Sequence, residues 1–130
     1  MSSPKTVLVV DDEHNALVAL AKILREDGYR VVVAATEAQA LERLNQWTFD
    51  FIITDLFLLH HCCVNLLKKL KEATPPIPVI LTTAHGNVDR YIDESSLEGM
   101  IYLSKPIKYE ELKDKIMAIE NNGLKERMEG

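Results

Sequence analysis

The chain is 130 residues long, 47% hydrophobic and 27% charged, and its 15 Lys and Arg against 20 Asp and Glu leave a net charge of −5. That length and apolar fraction suit one domain with its own core, and exclude a disordered chain or a small disulfide-stapled one. The acidic balance, without a dense basic block, argues against a nucleic-acid face, and no apolar run approaches the roughly 20 residues of a membrane span. Met1-Ser2-Ser3-Pro4-Lys5 lacks the apolar stretch of a signal peptide. The two cysteines, adjacent at Cys62 and Cys63, cannot build a disulfide framework and fit a reducing compartment, so a soluble cytoplasmic domain is expected.

Two kinds of apolar pattern alternate along the chain. Val7-Leu8-Val9-Val10 is a short continuous run, as a strand buried on both faces should be. Leu17, Leu20, Ala21 and Leu24 form one stripe of a helix that Gly28 should stop. Val31-Val32-Val33 reads as a second strand. Thr36, with Gln39 three residues on, resembles a capping box before a helix striped by Ala40, Leu41 and Leu44. Phe51-Ile52-Ile53 is a third strand ending at Thr54-Asp55, and Leu66, Leu67 and Leu70 mark a helix that should end before Pro75-Pro76. Val79-Ile80-Leu81 is a fourth strand, followed by a shorter helix around Val88, Tyr91 and Ile92. Met100-Ile101-Tyr102-Leu103 is a fifth strand, ended by Pro106. Leu112, Ile116 and Ile119 stripe a final helix, for which Asn121-Asn122-Gly123 supplies a stop. Residues 1–121 are thus expected to form the domain, and 122–130 a tail or the start of a linker.

About five strand–helix units in 130 residues imply an α/β, doubly wound parallel sheet with helices on both faces, a three-layer sandwich rather than a closed barrel. Ligands of such sheets bind beyond the carboxyl ends of the strands. Those ends carry Asp11-Asp12-Glu13, Asp55, Thr82-Thr83 and Ser104-Lys105. A phosphate cradle would need glycines at the first turn, whereas Asp11-Asp12-Glu13-His14-Asn15 repels free phosphate and attracts a hard divalent cation. Converging carboxylates need compensation, which Mg²⁺ and the fixed charge of Lys105 would provide. With a Thr83 hydroxyl able to donate to an anion, the set suits a phosphoryl group transferred covalently to a carboxylate.

Val7 to Asp12, Asp55, Thr83-Ala84 and Lys105-Pro106, in order and each at a predicted strand end, resemble the receiver domain of bacterial two-component response regulators over roughly residues 5–121. The resemblance implies a flavodoxin-like, chemotaxis-regulator-like sheet of strand order 2-1-3-4-5. It implies that Asp55 is the phosphoacceptor of a sensor histidine kinase or phosphotransfer protein. Asp12, Asp55 and the main-chain carbonyl of Phe57 would bind Mg²⁺, with Asp11 ligating directly or through water. Lys105 would pair with Asp55 and then with the phosphoryl oxygens, across a cis bond to Pro106. On phosphorylation Thr83 would close on the phosphoryl group and Tyr102 turn inward. The face of the fourth helix, fifth strand and fifth helix would then change for an output domain, an effector or a second copy of the chain. Phe57 and His85, two residues beyond Asp55 and Thr83, hold the positions that in the family tune attack by water; a bulky Phe57 predicts a long-lived aspartyl-phosphate, the alternative being that His85 positions water well and offsets the effect. Such a receiver is a phosphoacceptor rather than an enzyme, and no direct contact with nucleic acid or membrane is expected.

Each residue has a plainer reading: acids at a helix start, Asp55 as a cap, Lys105 as a surface lysine, Thr83 and Tyr102 as strand packing. Their joint placement favours the site. Leu59 and Cys63 stand where receivers carry a proline and a glycine, so the loop after the third strand should take a different path. Leu56-Phe57-Leu58-Leu59 is strongly apolar for a site rim. His60-His61-Cys62-Cys63 contains soft-metal ligands, but four consecutive side chains can hardly converge on one ion, so they read as loop and helix-start residues. Two alternatives stand beside the receiver. One is a pseudo-receiver that binds partners without phosphorylation; the other is a phosphohydrolase, disfavoured by the absence of a cap domain. Thr83-Ala84-His85-Gly86 is reminiscent of receivers in enhancer-binding transcription regulators.

Overall fold

The computed structural model describes residues 4–58, 61–83 and 101–129. The strands and helices run β1 (Thr6–Val10), α1 (His14–Glu26), β2 (Arg30–Ala34), α2 (Glu37–Gln46), β3 (Phe51–Asp55), β4 (Phe57–Leu58), β5 (His61–Cys62), α3 (Val64–Glu72), β6 (Val79–Thr83), β7 (Ile101–Ser104) and α4 (Tyr109–Glu129). Five strands make one parallel sheet in the order β2-β1-β3-β6-β7, the expected 2-1-3-4-5 arrangement, and β4 and β5 form a separate two-stranded hairpin. The helix expected around Val88, Tyr91 and Ile92 lies outside the described residues.

Period-two alternation divides each buried strand between two cores. Leu8, Val10, Ile52, Val79 and Leu81 pack with Ala40 of α2 and with Leu66, Leu67 and Leu70 of α3. Val7, Val9, Phe51, Ile53, Ile80 and Leu103 pack with Leu17, Ala21 and Leu24 of α1 and Leu112 and Ile116 of α4. The continuous apolar runs in the sequence therefore mean a sheet covered on both faces. Burying each such side chain favours the fold by about 1.5–3 kcal/mol.

Helix ends follow local chemistry. Gly28, at φ +97°, ends α1 in a Schellman arrangement: its N–H donates to Arg25 O at 3.0 Å and Tyr29 N–H to Leu24 O at 3.1 Å. Thr36 Oγ1 accepts from Gln39 N–H at 3.1 Å, as the sequence predicts, but Gln39 Oε1 reaches back to Ala35 N–H at 2.8 Å, one residue before the expected cap. α3 has no side-chain cap of its own, and Glu37 of α2 accepts from Leu66 N–H at 3.2 Å instead.

Two expectations need correction. Helix α4 does not stop at Asn121-Asn122-Gly123 but continues to Glu129. One internal glycine costs a helix only about 1 kcal/mol, no proline follows, and the Leu-Lys-Glu-Arg-Met-Glu stretch beyond it is rich in helix formers. Leu56 and Leu58 are not an apolar rim: both are fully buried in the core beneath α2 and α3. The altered loop after β3, expected from Leu59 and Cys63, is the β4–β5 hairpin, with Phe57 opposite Cys62 and Leu58 opposite His61. Leu59 and His60 at its tip lie outside the described residues.

Candidate functional site

Parallel register brings the strand ends to one rim. Val10 pairs with Thr54, Asp55 with Thr82 and Thr83 with Ser104, so Asp11, Asp55, Thr83 and Lys105 lie side by side at the carboxyl edge. Asp11 and Asp55 are buried and Asp12 is exposed. One carboxylate oxygen from each of the three can be chosen so that all lie within 4.8 Å of one another.

Asp11 is fixed by Glu13 N–H, which donates to its Oδ1 at 2.9 Å. Asp55 is held the same way: Phe57 N–H donates to its Oδ1 at 3.0 Å, while Lys105 Nζ donates to its Oδ2 at 2.6 Å. Lys105 also donates to Asp11 Oδ2 at 3.1 Å, a bridge the sequence reading did not foresee. Lys105 N–H donates to Thr83 O at 2.9 Å, which seats the lysine beside the end of β6. The Lys105–Pro106 bond is cis, as the resemblance implied. Burial pulls the Lys105 pKa down, but its hydrogen bonds to Asp55 and Asp11, with their charge, outweigh this and hold it above the usual 10.5. The lysine is a permanent cation at neutral pH.

The hairpin completes the rim. Cys63 N–H donates to Leu56 O at 3.1 Å, so Phe57 and Cys62 form the next, non-hydrogen-bonded pair. The Phe57 N–H thus turns away from Cys62 and serves Asp55. Buried Cys63 donates its thiol to Asp55 O at 3.4 Å, joining Thr54 Oγ1 at 3.1 Å on the same carbonyl. No sequence signal marked this contact; only the missing glycine at position 63 hinted at it. Phe57 itself is half-buried and packs on the core of Leu56 and Leu58.

Tyr102, expected to act as a switch, sits on β7 opposite Leu81 and is 39% exposed. His85 and Ala84 lie outside the described residues. An open groove of about 530 Å³ leads away from Asp11 and Lys105 between α1 and α4, floored by apolar side chains such as Leu20, Ile107 and Leu112.

Three carboxylates and one ammonium leave a formal charge of −2, and the donors are all hard oxygens. This set fits Mg²⁺, which binds through one or two carboxylates and retains water. Among the described residues no other cluster of three or more acidic, histidine or cysteine side chains could hold a metal. No helix among them is long and apolar enough to cross a membrane.

The model of the response regulator receiver domain matches residues 7–117. Transcriptional regulatory protein ZraR of Klebsiella oxytoca is 34% identical over 106 residues; the match covers 82% of this chain and 24% of ZraR. The chain thus spans about a quarter of that relative's length. A CheY-like receiver domain protein from Methanospirillum hungatei superposes with a TM-score of 0.84 at 27% identity, covering 95% of this chain and 99% of that one. Response regulator TrrA of Thermotoga maritima, solved in complex with Mg²⁺ and BeF, has a TM-score of 0.76 at 25% identity and covers 88% and 98%. By sequence, sheet order and site chemistry, this chain belongs to the response regulator receiver domains, Mg²⁺-dependent phosphoacceptor modules of signal transduction rather than turnover enzymes.

Proposed function

We propose that Asp55 receives a phosphoryl group from the phosphohistidine of a sensor histidine kinase or phosphotransfer protein. An Asp55 carboxylate oxygen attacks phosphorus as the phosphorus–nitrogen bond breaks, and the departing imidazole nitrogen takes its electron pair and then a proton from solvent. Phe57 N–H and Lys105 Nζ orient that carboxylate. As charge builds on the phosphoryl oxygens, Lys105 transfers its hydrogen bonds to them and the Thr83 hydroxyl donates to another. Asp11, Asp12, Asp55 and the Phe57 carbonyl would hold Mg²⁺, which when bound offsets the charge of the phosphoryl oxygens. The donor protein docks along the groove between α1 and α4, which opens on Asp11 and Lys105.

The phosphoryl group adds about −1.5 to −2 charge and three acceptor oxygens, drawing Thr83 inward. Tyr102, now exposed, then turns into the space released, and the face around β7 and α4 shifts between two populated forms. An output domain, an effector protein or a second copy of the chain reads that face. Half-buried Phe57 impedes water at the acyl phosphate, with His85 as the second tuning residue, so the phosphorylated form is long-lived.

The observation that carries this reading is Lys105 bridging Asp55 and Asp11 within a three-carboxylate cluster. Acetyl phosphate with MgCl₂ tests it by intact mass. One added phosphoryl group, lost in Asp55→Asn, supports it. No addition, with partner binding intact, would make the chain a pseudo-receiver.

A further inference from the structure

Among the described residues the sheet ends at β2, whose outer edge has no neighbouring strand. Arg30 N–H donates to Lys5 O at 2.9 Å and Asp11 N–H to Ala34 O at 3.2 Å, so residues 30, 32 and 34 direct their backbone groups towards β1. Alternation then turns those of Val31 and Val33 outward. Both outward carbonyls are occupied: Arg25 Nη2 donates to Val31 O at 3.0 Å, and Arg43 Nε donates to Val33 O at 3.4 Å. Arg25 comes from α1 and Arg43 from α2, which pack on opposite faces of the sheet. The two guanidinium groups therefore close over the edge from both layers. Among the described residues neither arginine has a carboxylate within salt-bridge distance.

We propose that Arg25 and Arg43 hold the outer edge of β2 shut against strand addition, and that the strand they cover is a latent pairing surface for β2 of a second copy. Arg30-Val31-Val32-Val33-Ala34 is short, β-branched and apolar at its centre, the kind of edge that recruits another strand. It is also self-complementary. In an antiparallel pair related by a twofold axis through Val32, Val31 of one copy stands opposite Val33 of the other, and every outward N–H and C=O finds a partner. The arginines oppose this twice. They occupy the acceptors, and two copies brought together would bury four like charges against each other.

Arg25→Met with Arg43→Met tests the proposal, because methionine keeps the apolar stems and removes the donors and charges. Sedimentation velocity at equal concentrations should show the weight-average mass of the double variant rising towards twice that of the parent. Val33→Pro added to the double variant should restore the parent's mass, since it removes an outward N–H and none of the bonds to β1. A double variant that sediments like the parent overturns the proposal, as does an increased mass that Val33→Pro leaves unchanged. If circular dichroism shows that the double variant does not fold, Arg25→Leu with Arg43→Leu takes its place: it frees both Val31 O and Val33 O and should raise the mass, and an unchanged mass overturns the proposal.

Discussion

Replacing Lys105 with methionine keeps a stem of similar length and removes the positive charge that bridges Asp11 and Asp55. The oxygens of Asp11, Asp12 and Asp55 lie within 4.8 Å of one another, and two unit charges at that distance repel by about 3.5 kcal/mol at an effective dielectric of 20. On the same scale Lys105, at 2.6 Å from Asp55 and 3.1 Å from Asp11, attracts them by about 6 and about 5 kcal/mol. Attraction and repulsion nearly balance, so the lysine stands in for much of a cation's work. Breaking a fully buried pair costs about 3–5 kcal/mol. Because the Lys105 side chain is 21% exposed and screened, the expected loss is about 1–3 kcal/mol in EDTA. The formal charge of the site falls from −2 to −3, so the variant should bind Mg²⁺ more tightly, and each tenfold gain in affinity returns about 1.4 kcal/mol at saturation. Urea unfolding followed by circular dichroism, in EDTA and in saturating MgCl₂, should show the deficit of Lys105→Met shrinking when the metal is present. An equal deficit in both conditions, or a variant more stable than the parent in EDTA, would refute the reasoning.

Phe57→Asn should shorten the life of the aspartyl-phosphate by about tenfold, a change of about 1.4 kcal/mol in the barrier, by admitting and orienting water; decay of the phosphorylated mass gives the rate, and an unchanged rate contradicts the role given to Phe57. Alkaline pH should weaken the fold through two groups. The raised pKa of Lys105 makes its contribution complete below 10.5 and lost as pH climbs through the folded value. Tyr29, raised above 10.0 by burial and then by Glu120, keeps its phenolic proton in the fold and loses stability in the same direction. Urea midpoints should therefore fall at strongly alkaline pH, and fall less in Tyr29→Phe. Leu67→Ala, which opens a cavity where α3 meets the sheet, should cost about 2–5 kcal/mol in the same assay.

The layers and strand order were legible because every buried strand is an unbroken apolar run and every covering helix carries one stripe. Asp11, Asp55, Thr83 and Lys105 were legible because each directly follows, or ends, such a run, and parallel register must align those ends. What escaped depends on contacts between distant segments. A hairpin of two-residue strands has too few residues to show a period, so Leu56 and Leu58 looked like rim when they are core. The Lys105–Asp11 bridge spans 94 positions, and the guanidinium bonds of Arg25 and Arg43 to β2 look in sequence like any charged residue on a helix. Gly123 resembled Gly28, yet only Gly28 has a positive φ and a strand that must turn back beneath the helix.

The central claim is that a magnesium-binding acidic cluster makes Asp55 the phosphoacceptor. Phosphorylation with acetyl phosphate, followed by borohydride reduction and peptide mapping, tests it most directly, because reduction converts an aspartyl-phosphate to homoserine where it formed. The account predicts homoserine at position 55 alone, in MgCl₂ and not in EDTA. Homoserine at another position, or the same yield without the metal, would contradict it.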